Sequence, residues 1–352
     1  MTPSFWSGRR VLITGNTGFK GAWLSFWLAE LGAEVSGLAL PPPSSPNLYD
    51  LLGLSAIGQS VFADINDRQS LNTLFRSTRP EVVIHMAAQP LVRQSYATPV
   101  ETFMTNVAGT VSLLEAVRNC QETRSVVIVT TDKCYENHNW HWGYRETDEL
   151  GGHDPYSASK ACAEIATTAM RRSFFDGGRH QAGIASVRAG NVIGGGDWSE
   201  DRLVPDIVRG CLGPEQAVRL RNPAAVRPWQ HVLDPLHAYL SLCERLYNGE
   251  KGFDEAWNIG PDAADNQPVL EVAEAMVKAL GRGRIEITSN PGDLHEANLL
   301  MLDCAKARAR LGWRPKLDFK GSVGLTAEWY RSWATGADMA EVTRAQISQF
   351  IK

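Results

Sequence analysis

Several features that mark large classes of protein are scarce or missing in this chain of 352 residues. There is no basic surplus, since 35 Lys and Arg stand against 39 Asp and Glu for a formal net charge of −4. A polyanion binder ordinarily carries such a surplus, so DNA and RNA are not expected partners, although a local cationic pocket is still open. The six cysteines (Cys120, Cys134, Cys162, Cys211, Cys243 and Cys304) include no C-x-x-C pair. This argues against a zinc ribbon or a disulfide scaffold and fits a reducing, cytoplasmic setting. No apolar run reaches the roughly 18–20 residues that span a bilayer, and the first residues lack a signal-peptide core, so no membrane association is expected. The eight histidines form neither H-E-x-x-H nor H-x-x-E-H, and no metal site is expected. His138 and His141 read as packing or rim residues of a Trp-rich loop. A G-x-S-x-G elbow is also missing, which removes the usual hydrolase.

What is present is a rhythm. Short apolar runs at 10–14, 33–40, 60–63, 82–86, 125–129 and 183–187 alternate with helical segments, including 21–31, 99–119 and 155–175. Strands alternating with helices predict βαβ units and a doubly wound, Rossmann-type parallel α/β sheet. Beyond Arg188 the alternation breaks into a stretch rich in Gly, Pro and Arg. Helices are then predicted at 233–248, 270–280 and 305–311, with a strand at 256–259. The expected organisation is a dinucleotide-binding domain over 1–190 plus about 231–260. A smaller C-terminal substrate-binding lobe would use 191–230 plus 261–352.

Three motifs carry chemistry. Thr14-Gly15-Asn16-Thr17-Gly18-Phe19-Lys20-Gly21 joins the first strand to the first helix, where glycines let backbone N–H groups approach a pyrophosphate. An acidic residue for a ribose hydroxyl is expected about 20 positions later, but Leu38, Ala39 and Leu40 stand there. No Lys or Arg follows to pair with a 2′-phosphate, which favours NAD over NADP. Tyr156 and Lys160 lie four apart and share one helix face, so an ammonium could stabilise a phenolate base. Thr131, Asp132 and Lys133 follow the strand 125–129, at the end of a sheet where α/β proteins place reactive groups.

Together with His85-Met86-Ala87-Ala88-Gln89 and Asn106, these motifs resemble the extended short-chain dehydrogenase/reductases (NAD-dependent epimerases and dehydratases) that modify nucleotide sugars. Residues 14–25, 131–135, 188–198 and 227–232 narrow the resemblance to the CDP-glucose 4,6-dehydratase subgroup, over about 8–335. The resemblance implies a lyase of deoxysugar and polysaccharide biosynthesis that converts CDP-D-glucose to CDP-4-keto-6-deoxy-D-glucose and water. Tightly held NAD would carry hydride from C4 to C6. Tyr156 would take the C4 hydroxyl proton, Asp132 would protonate the leaving 6-hydroxyl, and Lys133 would be the C5 base. Relatives acting on dTDP-glucose carry Glu at the Lys133 position, so Lys133 would have to be neutral to act. Cofactor contacts implied are Gly15, Asn16, Thr17, Gly18, Phe19, Lys20 and Gly21, then Asp64 and Ile65 at adenine, and Ala87, Ala88, Gln89, Asn106, Tyr156 and Lys160. On the substrate side, Asn191 and Arg227 map to diphosphate contacts, with Arg202, Arg219, Arg221 and His295 as further candidates. A homodimer through helices 99–119 and 155–175, or a dimer of such dimers, is expected. The alternatives are a dTDP- or GDP-sugar dehydratase, a 4-epimerase, or a non-catalytic NAD(P)-binding sensor.

Overall fold

The computed structural model describes residues 1–288 and 299–352. β1 (Arg10–Thr14) leads through a tight loop into α1 (Phe19–Glu30), and β2 (Glu34–Ala39) lies parallel beside β1. There follow β3 (Gln59–Phe62), α2 (Arg68–Thr78), β4 (Val82–His85), α3 (Gly109–Arg118), β5 (Ser125–Val129), α4 (Pro155–Met170) and β6 (Gly183–Ala189). Next come α5 (Leu203–Leu212), α6 (Leu233–Tyr247) and β7 (Ala256–Ile259). The chain ends with α7 (Val269–Leu280), α8 (Phe319–Ala334) and α9 (Met339–Ile351).

These seven strands form one sheet in the order β7-β6-β5-β4-β1-β2-β3, with every neighbouring pair parallel. This is the Rossmann-type fold expected from the sequence. Helices cover both faces, which is why β4 and β5 are buried along their whole length and read as unbroken apolar runs. Strand order reverses between β1 and β4, so a crevice opens beyond their carboxyl ends, where such sheets bind ligands.

Two expected helices are interrupted. Segment 99–119 is a short helix, Pro99–Phe103, then a π-helical turn, Met104–Ala108, then α3. α4 likewise ends in a π-helical turn, Arg171–Phe175. The first π turn holds Asn106, and such bulges often aim a side chain at a functional site. The short element expected at 305–311 is a π-helical turn, Ala307–Leu311.

The C-terminal helices bridge the lobe and the sheet, since α8 packs on α7. α8 and α9 share one apolar core with α1 and the sheet. Trp27 meets Phe350 edge-on at 5.8 Å, and Arg344 pairs with Glu30 at 2.7 Å. What stands over the carboxyl ends of the strands is α5, α7 and two small strand pairs, Ala217–Leu220 with Arg284–Ile287 and Val226–Pro228 with Asn266–Pro268. Among the described residues no helix is long and apolar enough to cross a membrane.

Candidate active site

The glycine loop is shaped first by its own packing. Gly15 has φ +76°, and a Cβ there would lie 2.8 Å from the Ala87 backbone nitrogen. A Cβ on Gly21 would lie 2.0 Å from the Gly15 carbonyl oxygen, so these two glycines are needed to fold the loop. Gly18 differs, because it is exposed and a Cβ on it would meet only the Gly15 oxygen, at 3.4 Å. It is the N-cap of α1, and no side chain caps that helix. Uncapped N–H groups and an open face beside Gly18 suit the close approach of a phosphate. Asn16 donates to Ser60 Oγ at 3.0 Å, while its buried Oδ1 has no partner among the described residues. Thr17 donates to the Leu40 carbonyl at 2.9 Å, which ties the loop to the end of β2. This cradle fits a dinucleotide.

At the crevice, the parallel register sets Thr14 beside His85. Thr110 donates its proton to the Asn106 carbonyl at 2.7 Å, so His85 Nε2–H must be the donor to Thr110, at 3.1 Å. Nδ1 then accepts from Thr14 at 2.7 Å. Burial, with Lys160 adding, pushes the His85 pKa down to about 3, so the ring is neutral and structural. Thr14 Oγ1 in turn accepts from the Met86 and Ala87 N–H groups, each at 3.2 Å. Asn106 accepts from Gln89 N–H at 2.9 Å and donates to the Gln89 carbonyl at 3.1 Å and to Ser159 Oγ at 2.8 Å. Its amide is thus fully engaged in joining the loop after β4 to α4. Met86 and Ala88 line the cleft itself. Asp64 is exposed and accepts from the Asn66 N–H at 2.8 Å, and Ile65 is buried against Gly109.

The cleft has a volume of about 850 Å³, and Lys20, Thr131, Asp132, Lys133, Tyr156, Lys160, Asn191, Arg202, Arg219, Arg221 and Arg227 all line it. β5 and α4 bring the reactive groups together. Asp154 caps α4 by accepting from the Ser157 N–H at 3.0 Å, and Ser95 accepts from the Tyr156 N–H at 3.1 Å. Tyr156 is therefore held in the first turn of α4, with its phenol hydrogen-bonded to Thr131. Thr131 donates to Asp132 Oδ1 at 3.0 Å. Asp132 is 1% exposed, and its Oδ2 is buried with no partner among the described residues. Lys160 donates to the Val129 carbonyl at 3.2 Å. Burial lowers its pKa to about 8, against the pull of Glu164 and Cys134.

Burial pushes Tyr156 up to about 12, and the groups that oppose this are the Thr131 hydrogen bond and Arg202.

On the lobe side, Arg202 pairs with Asp197 at 3.2 Å and Arg221 with Asp201 at 3.2 Å. Arg219 is exposed and pairs with Glu215 at 2.8 Å. Arg227 is buried, 7% exposed, and donates to the Val226 carbonyl at 2.9 Å. Asn191 adopts φ +39° at the cleft wall. His295 lies outside the described residues. His138 stacks on Trp140 at 4.9 Å, at the end of an aromatic column that runs through Tyr144 to Tyr135. No cluster of potential metal ligands occurs among the described residues.

Sequence reasoning missed what stands behind the site. Glu164 and Arg188 form a buried pair at 2.9 Å. Glu164 also accepts from Thr130 at 2.5 Å and Ser186 at 2.7 Å, and Arg188 donates to Tyr135 at 2.8 Å. Burial alone would raise the Glu164 carboxyl, but Arg188 outweighs it and holds the carboxyl below its ordinary range. Glu164 lies one helical turn beyond Lys160, a spacing that could have signalled the link. Gly190 was missed too, and a Cβ on it would lie 1.8 Å from Asp132 Oδ2.

Sheet topology, glycine cradle and the Thr131–Tyr156–Lys160 cluster define a dinucleotide-binding protein of the short-chain dehydrogenase/reductase class. The chain belongs to the GDP-mannose 4,6 dehydratase family, whose model matches residues 12–325. It is 46% identical to the CDP-glucose 4,6-dehydratase of Salmonella typhimurium, over 99% of this chain and 98% of that one. Among solved structures it is similar to UDP-glucose 4-epimerase of Thermotoga maritima with UDP-glucose, with TM-score 0.79 and 25% identity over 92% of this chain and 99% of that one. It is also similar to dTDP-glucose 4,6-dehydratase of Bacillus anthracis in complex with NAD, with TM-score 0.78 and 22% identity over 95% and 100%.

Proposed function

We propose that the chain is a nucleotide-sugar 4,6-dehydratase that converts CDP-D-glucose to CDP-4-keto-6-deoxy-D-glucose and water. The observation that carries this is Asp132, a buried carboxyl group with an unpartnered oxygen that is linked through Thr131 to Tyr156. A 4-epimerase needs the tyrosine but no acid beside it, whereas elimination of a hydroxyl needs both on one sugar. The near full-length relative named CDP-glucose 4,6-dehydratase supports the choice of nucleotide.

NAD, held by residues 15–21 and by Lys160, supplies when bound a hydride acceptor for sugar C4 and a hydride donor for C6. The chain's own groups move the protons. Tyr156, ionised beside the Lys160 ammonium on the same helix face, takes the proton of the 4-hydroxyl, with Thr131 holding that oxygen. The resulting 4-ketone acidifies C5–H, and Lys133, on the same wall of the cleft, removes that proton. Asp132, in its acid form, gives the Oδ2 proton to the departing 6-hydroxyl. Lys133 returns its proton to C5 as hydride reaches C6, and the proton that Tyr156 took from O4 restores Asp132 through Thr131. Arg202, Arg227 and Asn191 face the cleft and provide charge and hydrogen bonds for the diphosphate, with Arg219 and Arg221 at its rim. Residues 191–230 and 261–352, in which α8 packs on α7, serve as the substrate lobe. The segments 99–118 and 155–175 leave Val100, Met104 and Ile165 exposed at 69%, 51% and 58%, which fits a homodimer through these helices.

The test is to incubate the protein and NAD with CDP-, dTDP-, UDP- and GDP-glucose and to follow the 4-keto sugar by its alkaline absorbance. Turnover of CDP-glucose to a 4-keto-6-deoxy product is expected. Formation of a 4-epimer, or preference for another nucleotide, would replace the proposal.

A further inference from the structure

Lys20 is a cation of the cleft to which the mechanism above gives no task beyond cofactor contact. It is the second residue of α1 and its half-buried side chain lines the cavity. Among the described residues it forms no ion pair and no hydrogen bond. The Tyr239 ring lies near it, with Nζ 6.0 Å from the centroid. A lysine with a choice extends its head into water, so one held in a cavity wall without a counter-ion calls for an explanation. The charges that face it come from three other elements: Asp132 after β5, Lys160 on α4 and Arg202 before α5. The titratable Tyr239 comes from α6. Burial first, then Arg202 and Lys160, lower its pKa to about 7 against the opposing pull of Asp132.

We propose that Lys20 is a positioning charge that biases the bound nicotinamide toward its reduced form. This rests on the dehydratase reading above. Oxidised nicotinamide carries a positive ring and the reduced form does not. The hydride must leave the carbon whose hydroxyl Tyr156 deprotonates, so the ring has to work in the compartment where Lys20 faces Lys160 and Asp132. A cation there opposes the oxidised ring and is indifferent to the reduced one. The bias favours oxidation at C4, the step that makes the C5 proton removable. Because Lys20 titrates near neutrality, the bias weakens once its proton is lost.

The test is a pair of binding titrations on the cofactor-stripped full chain, NADH by its fluorescence and NAD by competition. Below the Lys20 titration at about 7, Lys20→Met and Lys20→Gln should each lower the NADH-to-NAD affinity ratio about tenfold, while Lys20→Arg keeps it. The wild-type ratio should also fall toward that of Lys20→Met as pH rises through this titration. Wild-type ratios in folded Lys20→Met and Lys20→Gln would overturn the proposal, as would a loss in Lys20→Arg equal to that in Lys20→Met. A wild-type protein that binds neither nucleotide, or forms no 4-keto sugar, would instead remove the dehydratase reading itself.

Discussion

At the scale of single residues, the site depends on two oxygens and what holds them. Tyr156→Phe removes one hydroxyl and should leave the fold intact. Loss of C4 oxidation of roughly 10²–10⁴-fold is expected for a missing general base, and near-normal turnover would assign the proton to another group. Gly190 is the less obvious position. Asp132 rests against it with no room for a methyl group, so Gly190→Ala must displace the carboxylate or the strand end behind it. A shift of about 1 Å can cost on the order of 10²-fold in rate. The loss should fall on elimination more than on oxidation, so single-turnover mixing should show reduced cofactor building up. Equal loss of both steps would mean that the displacement reaches Tyr156.

At the scale of elements, what was legible follows from which groups carry local signals. β1, β4 and β5 are apolar because both faces are buried, and the loop after β1 had to be glycine-rich to turn and pack, so these segments read directly from the chain. α4 was legible as well, from the spacing of Tyr156 and Lys160. The π-helical turns were not, because one extra residue shifts the apolar phase only once, and the flanking helical segments are too short to reveal the slip. Nor was the Glu164–Arg188 pair, since its partners sit on different elements and look like solvated charges until the sheet brings them together. That pair props the back of the site through Thr130, Ser186 and Tyr135. Breaking a buried pair typically costs about 3–5 kcal/mol, because the remaining charge is left without a partner. Arg188→Met should therefore lower unfolding free energy by about that much in a urea titration, while Arg188→Met with Glu164→Gln recovers part of it. No recovery in the double variant would show that Arg188 acts through Tyr135 and the Glu146 carbonyl instead.

At the scale of the whole molecule, buried titratable groups set how the fold responds to acid. His85 and His231 are fully interior, and burial lowers both from 6.5 to about 3. His237, more peripheral, is lowered to about 4, with the N-terminus and Lys316 adding to burial. Between those values and 6.5 the unfolded chain binds protons that the folded chain refuses, so stability is present above pH 6.5 and is lost as pH falls. Each such histidine contributes up to about 1.4 kcal/mol per pH unit. Asp234 works the other way. Burial raises it from 3.8 to about 7 against the Lys316 and Leu317 N–H groups, so the folded chain takes up a proton there first and gains stability as pH falls through that window. The histidines outnumber it, and net loss of stability on acidification is expected. Asp234→Asn keeps an oxygen for the Lys316 N–H but removes the opposing titration. Unfolding free energies from urea titrations at several pH values below 6.5 should then fall more steeply with falling pH for Asp234→Asn than for the wild type, by about 1.4 kcal/mol per pH unit at most. Parallel slopes in the two proteins would mean that Asp234 stays ionised in the folded chain, held by its backbone donors in spite of burial.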